Sequence, residues 1–136
     1  MVRYKARLVA QGFTQRPGID FDETYSPVLD GITFWYLISL ATNLNLQMKL
    51  MDVVTAYLYG SLDTEIYPER IKVPKEGERK MYSAKLQRSL YGLKQSGRMW
   101  YNRLSEFLLQ KGFIKNEDCP CVFIRKSEKG FCIISV

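Results

Sequence analysis

The chain has 136 residues, 46% of them hydrophobic and 13% aromatic, with 25% charged and only 5 prolines, which is enough apolar material for one packed domain and too much for disorder. A net charge of +6 and a pI near 9.3 favour a polyanionic partner such as nucleic acid. The longest apolar run, Ile32 to Ala41, is too short to span a bilayer, and no secretory pattern follows the basic start, so an intracellular protein without membrane contact is expected. Three cysteines and no histidine exclude an even disulfide framework, a four-ligand Cys/His zinc site and imidazole catalysis, leaving Cys119, Cys121 and Cys132 as reduced, partly buried thiols.

Tyr4, Ala6, Leu8 and Ala10 alternate with Arg3, Lys5 and Arg7, predicting a strand over 3–11 with a basic face, ended by Gly12. Pro17-Gly18, Asp20, Asp22 and Ser26-Pro27 make 14–30 a loop or a pair of short extended pieces. Asp30 is placed to cap a buried helix from Ile32 to Asn43. Leu46, Met48 and Leu50 then alternate with polar residues, predicting a strand that delivers Asp52 at its C-terminal end. Gly60, Pro68, Pro74 and Gly77 break up 60–80, leaving a short strand near Glu65 to Tyr67 and a mobile connection, and Met81 to Leu86 forms another strand. A turn through Tyr91-Gly92-Leu93 leads to a helix capped by Ser96, with Trp100, Leu104, Phe107, Leu108 and the stem of Lys111 on one face and Gly112 as its stop. Cys121 to Arg125 and Phe131 to Val136 are the arms of a hairpin. The second arm ends as if a strand had been severed, leaving an apolar edge prone to aggregation. The expected class is α+β, a mixed or antiparallel sheet with packed helices, in a single domain over 1–136.

Taken one at a time, the chemical groups are weak signals. Asp52 is one acid among 14, and an acid at a strand end is commonly a cap or a solvated charge. Two-metal chemistry needs several carboxylates converging on ions about 3.5 to 4 Å apart, and Asp20, Asp22 and Glu23, like Glu117-Asp118, read as solvated loops. Tyr91-Gly92-Leu93-Lys94-Gln95-Ser96 offers a glycine that permits close backbone approach and a lysine that can meet a phosphate. It matches neither a dinucleotide fingerprint nor a P-loop, and an ordinary loop into a helix is the plainer reading.

Together the blocks say more. In order along the chain, Arg3-Tyr4-Lys5-Ala6-Arg7-Leu8-Val9-Ala10-Gln11-Gly12-Phe13, Asp22-Glu23-Thr24-Tyr25-Ser26-Pro27-Val28, Met51-Asp52-Val53-Val54-Thr55-Ala56-Tyr57-Leu58-Tyr59-Gly60, Ser89-Leu90-Tyr91-Gly92-Leu93-Lys94-Gln95 and Cys119-Pro120-Cys121-Val122-Phe123-Ile124 closely resemble copia-type retrotransposon reverse transcriptases, especially those of plants. The resemblance runs from Arg3 to Val136. It implies a partial right-hand polymerase fold, the fingers and first half of the palm, of an RNA-directed DNA polymerase. Asp52 then corresponds to the first catalytic, metal-binding carboxylate, for Mg2+ or Mn2+. Lys5 and Arg7 correspond to the fingers strand that meets the triphosphate, with the principal contact open between them. Tyr57 falls where a ring lies beneath the sugar and would clash with a ribose 2′-hydroxyl, favouring deoxynucleotides. Gly92 and Lys94 correspond to a loop beside the templating pair, where the missing side chain leaves room for a base.

The implied partners are an RNA or DNA template-primer and deoxynucleoside triphosphates, in the cytoplasm, within a virus-like particle, or in the nucleus. The family's Tyr-x-Asp-Asp is expected directly after the last strand and does not occur in the 136 residues. The expectation is therefore one incomplete reverse transcriptase domain, without polymerase activity by itself. It is either a cut-out of a longer Pol polyprotein or a decayed genomic copy, and Met1 just ahead of the fingers strand favours the second. A non-catalytic nucleic-acid-binding remnant is the competing reading. Trp35 where Arg is usual and Pro68 where Met is common suggest relaxed constraint.

Overall fold

Among the described residues, two α-helices and two antiparallel sheets make up the main regular structure, α1 over Gly31–Asn43, α2 over Ser96–Gln110, a pair β1 (Ile71–Lys72) with β2 (Met81–Tyr82), and a three-stranded sheet β3 (Ile114–Lys115), β4 (Val122–Ser127), β5 (Gly130–Ser135) in that order. This computed structural model describes residues 4, 6–63, 65–66, 71–72, 81–82, 85–128 and 130–136, with 71–72 and 81–82 described by backbone alone. Arg3, Lys5 and most of the connection through 67–80 lie outside the described residues. The α+β class is borne out.

α1 starts where the sequence places it. The Asp30 carboxylate accepts from the Ile32 and Thr33 N–H groups at 2.8 and 2.9 Å and from the Thr33 hydroxyl at 2.7 Å, satisfying two of the orphan donors of the first turn. Those bonds, led by the Thr33 N–H, hold its carboxyl below the usual carboxylate value. The helix was expected to be buried and is not: Ala41 alone is buried among its residues, and Trp35 is 69% exposed. Its surface is apolar nearly all the way round, so one face is covered and the others, carrying Ile32, Trp35 and Tyr36, stay open.

The strand expected over Leu46–Leu50 does not form either. Asn45 takes φ +52, its N–H donates to the Thr42 carbonyl at 3.3 Å, and Leu46 N–H donates to the Ala41 carbonyl at 2.8 Å. The helix end thus takes up the backbone that would have begun the strand, in the double-bonded C-terminal motif. Beyond it, 47–53 has no ladder partner among the described residues, and an extended run cannot count as a strand without one.

α2 ends in the same way. Gly112, at φ +79, donates to the Leu109 carbonyl at 2.9 Å while Phe113 N–H reaches Leu108 at 3.0 Å, and the Arg125 guanidinium caps the Lys111 carbonyl at 3.2 Å while lying over the Phe113 ring. Its start departs from expectation. Ser96 is not the cap; its hydroxyl donates to the Leu90 carbonyl at 2.6 Å and accepts from the Ser89 hydroxyl at 2.9 Å. The first turn instead hangs from the Gln95 carbonyl, which accepts from Met99 N–H at 2.9 Å.

The predicted hairpin forms with its arms shifted by one or two residues, Val122–Ser127 and Gly130–Ser135, registered from Val122 opposite Ser135 to Ser127 opposite Gly130. β3 pairs Ile114 with Ile124 and Lys115 with Phe123; at two residues it is too short to carry a periodicity. No strand forms over 6–11; of the strands expected near Glu65 to Tyr67 and over Met81–Leu86, Met81–Tyr82 is one, paired with Ile71–Lys72, while Glu65, Ile66, Lys85 and Leu86 are not in strands and Tyr67, Ser83 and Ala84 lie outside the described residues. Leu86 instead makes a single N–H bond to the Ile66 carbonyl, at 3.0 Å.

The chain divides into two units, one of Met1–Tyr25 with Thr55–Arg103, the other of Ser26–Val54 with Leu104–Val136. The first buries Phe21, Ile66, Leu93 and Met99 together with Ser89, Gln95 and Ser96. The second buries Ala41, Leu108, Phe113, Cys121, Val122 and Phe123 with Ser105. No helix among the described residues is long and apolar enough to cross a membrane.

Candidate functional site

In the first unit two glycines bring distant stretches of backbone together. Gly92 has φ +92, and a Cβ there would overlap the Ala10 carbonyl oxygen; a Cβ on Gly12 would overlap the Gly92 carbonyl oxygen. Between them Ala10 N–H donates to the Tyr91 carbonyl at 2.7 Å. The open space that an absent side chain leaves at Gly92 is therefore occupied by the chain's own backbone, and only glycine combines this φ with this approach.

Side chains reinforce the contact. Gln15 Oε1 accepts from Lys94 N–H at 2.8 Å, and Gln15 Nε2 donates to Gln95 Oε1 at 3.0 Å. Gln95 Nε2 in turn donates to the Asp20 carbonyl at 3.0 Å. Gln95 is 0% exposed, so its amide is a satisfied buried polar group, the kind that fixes one geometry because any other leaves it unpaired. Asp20 is itself held, its carboxylate accepting from Arg16 N–H at 2.7 Å.

On this frame stand the residues singled out from the sequence. Arg7 lies over the Tyr91 ring, 5.8 Å from its centroid, and the Tyr57 ring meets the Tyr91 ring at 4.9 Å, tilted by 56°. Lys94 places its ammonium 5.1 Å from the Phe21 centroid and 3.3 Å from the Gln15 carbonyl oxygen, exposed to solvent. Tyr57 sits in a 3-10 turn, Ala56–Tyr59, preceded by Thr55 at φ +57, a conformation costing a β-branched residue roughly 1–2 kcal/mol. Gly60 closes that turn against α2, where a Cβ would come within 2.7 Å of Met99 Cβ.

Arg7, Tyr57, Gly92 and Lys94 are thus brought into one neighbourhood. Lys5 lies outside the described residues. Asp52 belongs to the second unit, exposed in the irregular stretch before Val54. Sequence reading missed the positioning role of Gln15 and Gln95, since polar residues beside turns read as solvated; Gln95 ends one motif block, whereas Gln15 lies outside all of them. A further polar tie, Arg98 to the Glu23 carboxylate at 2.9 Å and to the Tyr25 carbonyl at 3.2 Å, links α2 to the turn-rich segment of the same unit.

Comparison with known proteins assigns the class first. Residues 1–136 match the family model for reverse transcriptase (RNA-dependent DNA polymerase), and the chain belongs to that family. Its relatives are transposon proteins. The retrovirus-related Pol polyprotein from transposon TNT 1-94 of Nicotiana tabacum is 43% identical over 135 residues, 98% of this chain and 10% of the relative. That from transposon RE1 of Arabidopsis thaliana is 36% identical over 134 residues, 98% of this chain and 9% of the relative. The transposon Ty1-H Gag-Pol polyprotein of Saccharomyces cerevisiae is 32% identical over 136 residues, 96% of this chain and 7% of the relative. The copia-type resemblance is borne out, and the chain spans about a tenth of the length of these curated relatives. No solved structure matches it.

Proposed function

We propose that residues 1–136 form the fingers and first half of the palm of a copia-type reverse transcriptase, one incomplete RNA-directed DNA polymerase domain whose Tyr91–Ser96 turn and Ala10–Gly12 segment face an incoming deoxynucleoside triphosphate. The observation that carries this reading is the paired-glycine contact, which sets Arg7 and Tyr57 on one ring, Tyr91, and fixes Lys94 three residues further on. Arg7 and Lys94, with Lys5, supply positive charge to the triphosphate. Tyr57 lies beneath the sugar and disfavours a 2′-hydroxyl. An RNA or DNA template-primer is the other partner, within the cytoplasm or nucleus.

Asp52 is the proposed catalytic carboxylate and ligand to Mg2+ or Mn2+. Two-metal phosphoryl transfer needs several carboxylates in one place, and among the described residues no group of three His, Cys, Asp or Glu side chains gathers to hold an ion. These residues do not by themselves fit a metal pair. We therefore assign the 136 residues binding without polymerisation. That same observation favours the second reading, a nucleic-acid-binding remnant with no nucleotide site.

Photo-crosslinking of labelled dTTP to the chain separates the two. The polymerase reading expects crosslinking that unlabelled deoxynucleotides displace better than ribonucleotides and that Arg7→Ala with Lys94→Ala weakens by about tenfold or more. Template-primer binding should fall with salt and be unchanged by Asp52→Asn. Template-primer binding with no nucleotide crosslink would favour the remnant. Magnesium-dependent primer extension by the chain, lost in Asp52→Asn, would overturn the assignment of inactivity.

A further inference from the structure

Two of the three cysteines occupy a turn that the nucleotide reading leaves without a role. Val122 N–H donates to the Cys119 carbonyl at 2.9 Å, closing a four-residue turn in which Pro120 takes the second position, where its fixed φ fits. Both ends are pinned from outside. Cys119 N–H donates to the Asn116 side chain at 2.7 Å, and Val136 N–H donates to the Cys121 carbonyl at 3.0 Å. Within this frame the two sulfurs stand 3.2 Å apart as free thiols sharing a hydrogen bond. An S–S bond is about 2.05 Å long, so roughly 1.2 Å of approach separates contact from bond.

We propose that Cys119 and Cys121 are a reactive dithiol, a modification site that closes to an intrachain disulfide by exchange with a small disulfide such as oxidised glutathione and that captures reagents requiring two neighbouring thiols. Accessibility sets the order of events. Cys119 is half-buried, whereas Cys121 is 2% exposed. Burial first, and the neighbouring Cys119 thiol next, push the Cys121 thiol up to about 11, so it stays protonated and inert towards reagents from solution.

The Cys119 thiolate attacks the small disulfide, forming a mixed disulfide and expelling one thiolate. Cys121 then gives up its proton to solvent and attacks Cys119 Sγ, expelling the second thiolate. Two S–H bonds are lost and one S–S bond forms in the protein; the small disulfide takes up the two electrons, and the two protons end on its two thiols. Closure also removes the 3.7 Å contact from the Cys119 thiol to the Thr33 hydroxyl of α1. Cys132, exposed on β5, can form a mixed disulfide but has no partner with which to bridge.

The test uses the full chain carrying Cys132→Ser, equilibrated with glutathione redox buffers both in native conditions and in denaturing guanidinium chloride, then acid-quenched and weighed intact. The native chain should lose two hydrogens at a ratio of oxidised glutathione to the square of reduced glutathione about tenfold lower than the denatured chain, because the turn raises the effective concentration of one thiol at the other. Equal ratios in the two conditions, or a glutathione adduct that persists without bridging, would overturn the proposal. Phenylarsine oxide gives a second measurement that needs no oxidation. One arsenic retained per native chain, with loss of one oxygen as water, is expected, and failure to retain it also counts against the site. Cys119→Ser should abolish both results.

Discussion

Replacing Gly92 by alanine tests the glycine contact directly. An L-residue at φ +92 pays about 1–2 kcal/mol for its conformation. The added methyl overlaps the Ala10 carbonyl, so the two backbones must part, forfeiting the Ala10–Tyr91 hydrogen bond at about 1 kcal/mol and adding overpacking strain of about 1–3 kcal/mol. The expected loss is about 3–6 kcal/mol, a large share of the roughly 5–15 kcal/mol that holds a domain together. Gly18 provides the control: its φ is +73, yet nothing lies within 4 Å of where a Cβ would stand, so Gly18→Ala should cost only about 1–2 kcal/mol. With urea slopes of about 1–3 kcal/mol per molar, the two variants should differ by about 0.7–4 M in midpoint, followed through Trp100, which faces Tyr59 in the same unit. Equal shifts would mean that Gly92 matters only for its φ and that the approach of Ala10 contributes nothing.

The glutamine ladder should behave as a coupled pair. Gln95→Leu strands the Asp20 carbonyl and the Gln15 amide, at about 1–3 kcal/mol for each buried group left unpaired, and a double-mutant cycle with Gln15→Leu should return a coupling of about 0.5–3 kcal/mol; additivity within error would remove the ladder from the account. Phe123, at 0% exposure, should cost about 3–5 kcal/mol as alanine, and a loss below 1 kcal/mol would mean that the second unit has no core at this position. The Asp30 cap carries a pH signature. Because its folded pKa lies below the ordinary 3.8, its stabilisation is complete above that value and is lost as pH falls through the lowered one. Protection of the Ile32 and Thr33 amides, measured relative to their intrinsic exchange rates, should therefore fall on acidification below about pH 4, and Asp30→Asn should flatten that dependence; an unchanged profile in Asp30→Asn would refute the assignment.

Local rules were legible wherever one residue decides the outcome. Asp30 capping α1, Gly112 ending α2 and the hairpin around 127–130 each rest on a single side-chain or backbone preference, and each stands in the structure. Alternation was the unreliable signal. The residues at 6–11 and 46–50 carry the period of a strand, but period alone does not supply a neighbouring strand, and among the described residues neither segment forms a ladder, the bond from Ala10 N–H to the Tyr91 carbonyl notwithstanding. Leu46 shows how such a pattern fails, since its N–H is spent on the Ala41 carbonyl, which the alternation of Leu46, Met48 and Leu50 could not reveal.

At the site the same division separates the groups that would act from those that hold them. Motif blocks named Arg7, Tyr57, Gly92 and Lys94, all of which present a charge, a ring or a bare backbone at or near the surface. What positions them, Gln15, Gln95 and the paired approach of Gly12 to Gly92, involves contacts between segments about eighty residues apart in sequence, such as the Gln15–Gln95 bond, and no local pattern encodes a partner at that distance. A buried amide that bonds both a backbone carbonyl and another amide tolerates few substitutes, because any shorter or apolar side chain leaves two partly buried polar groups unpaired. Arg7 and Lys94, by contrast, are exposed and make few bonds that folding requires. Substitutions at the glutamines and glycines should therefore lower stability and nucleotide binding together, whereas substitutions at Arg7 and Lys94 should lower binding and leave stability nearly unchanged, so the two sets separate on a plot of one quantity against the other.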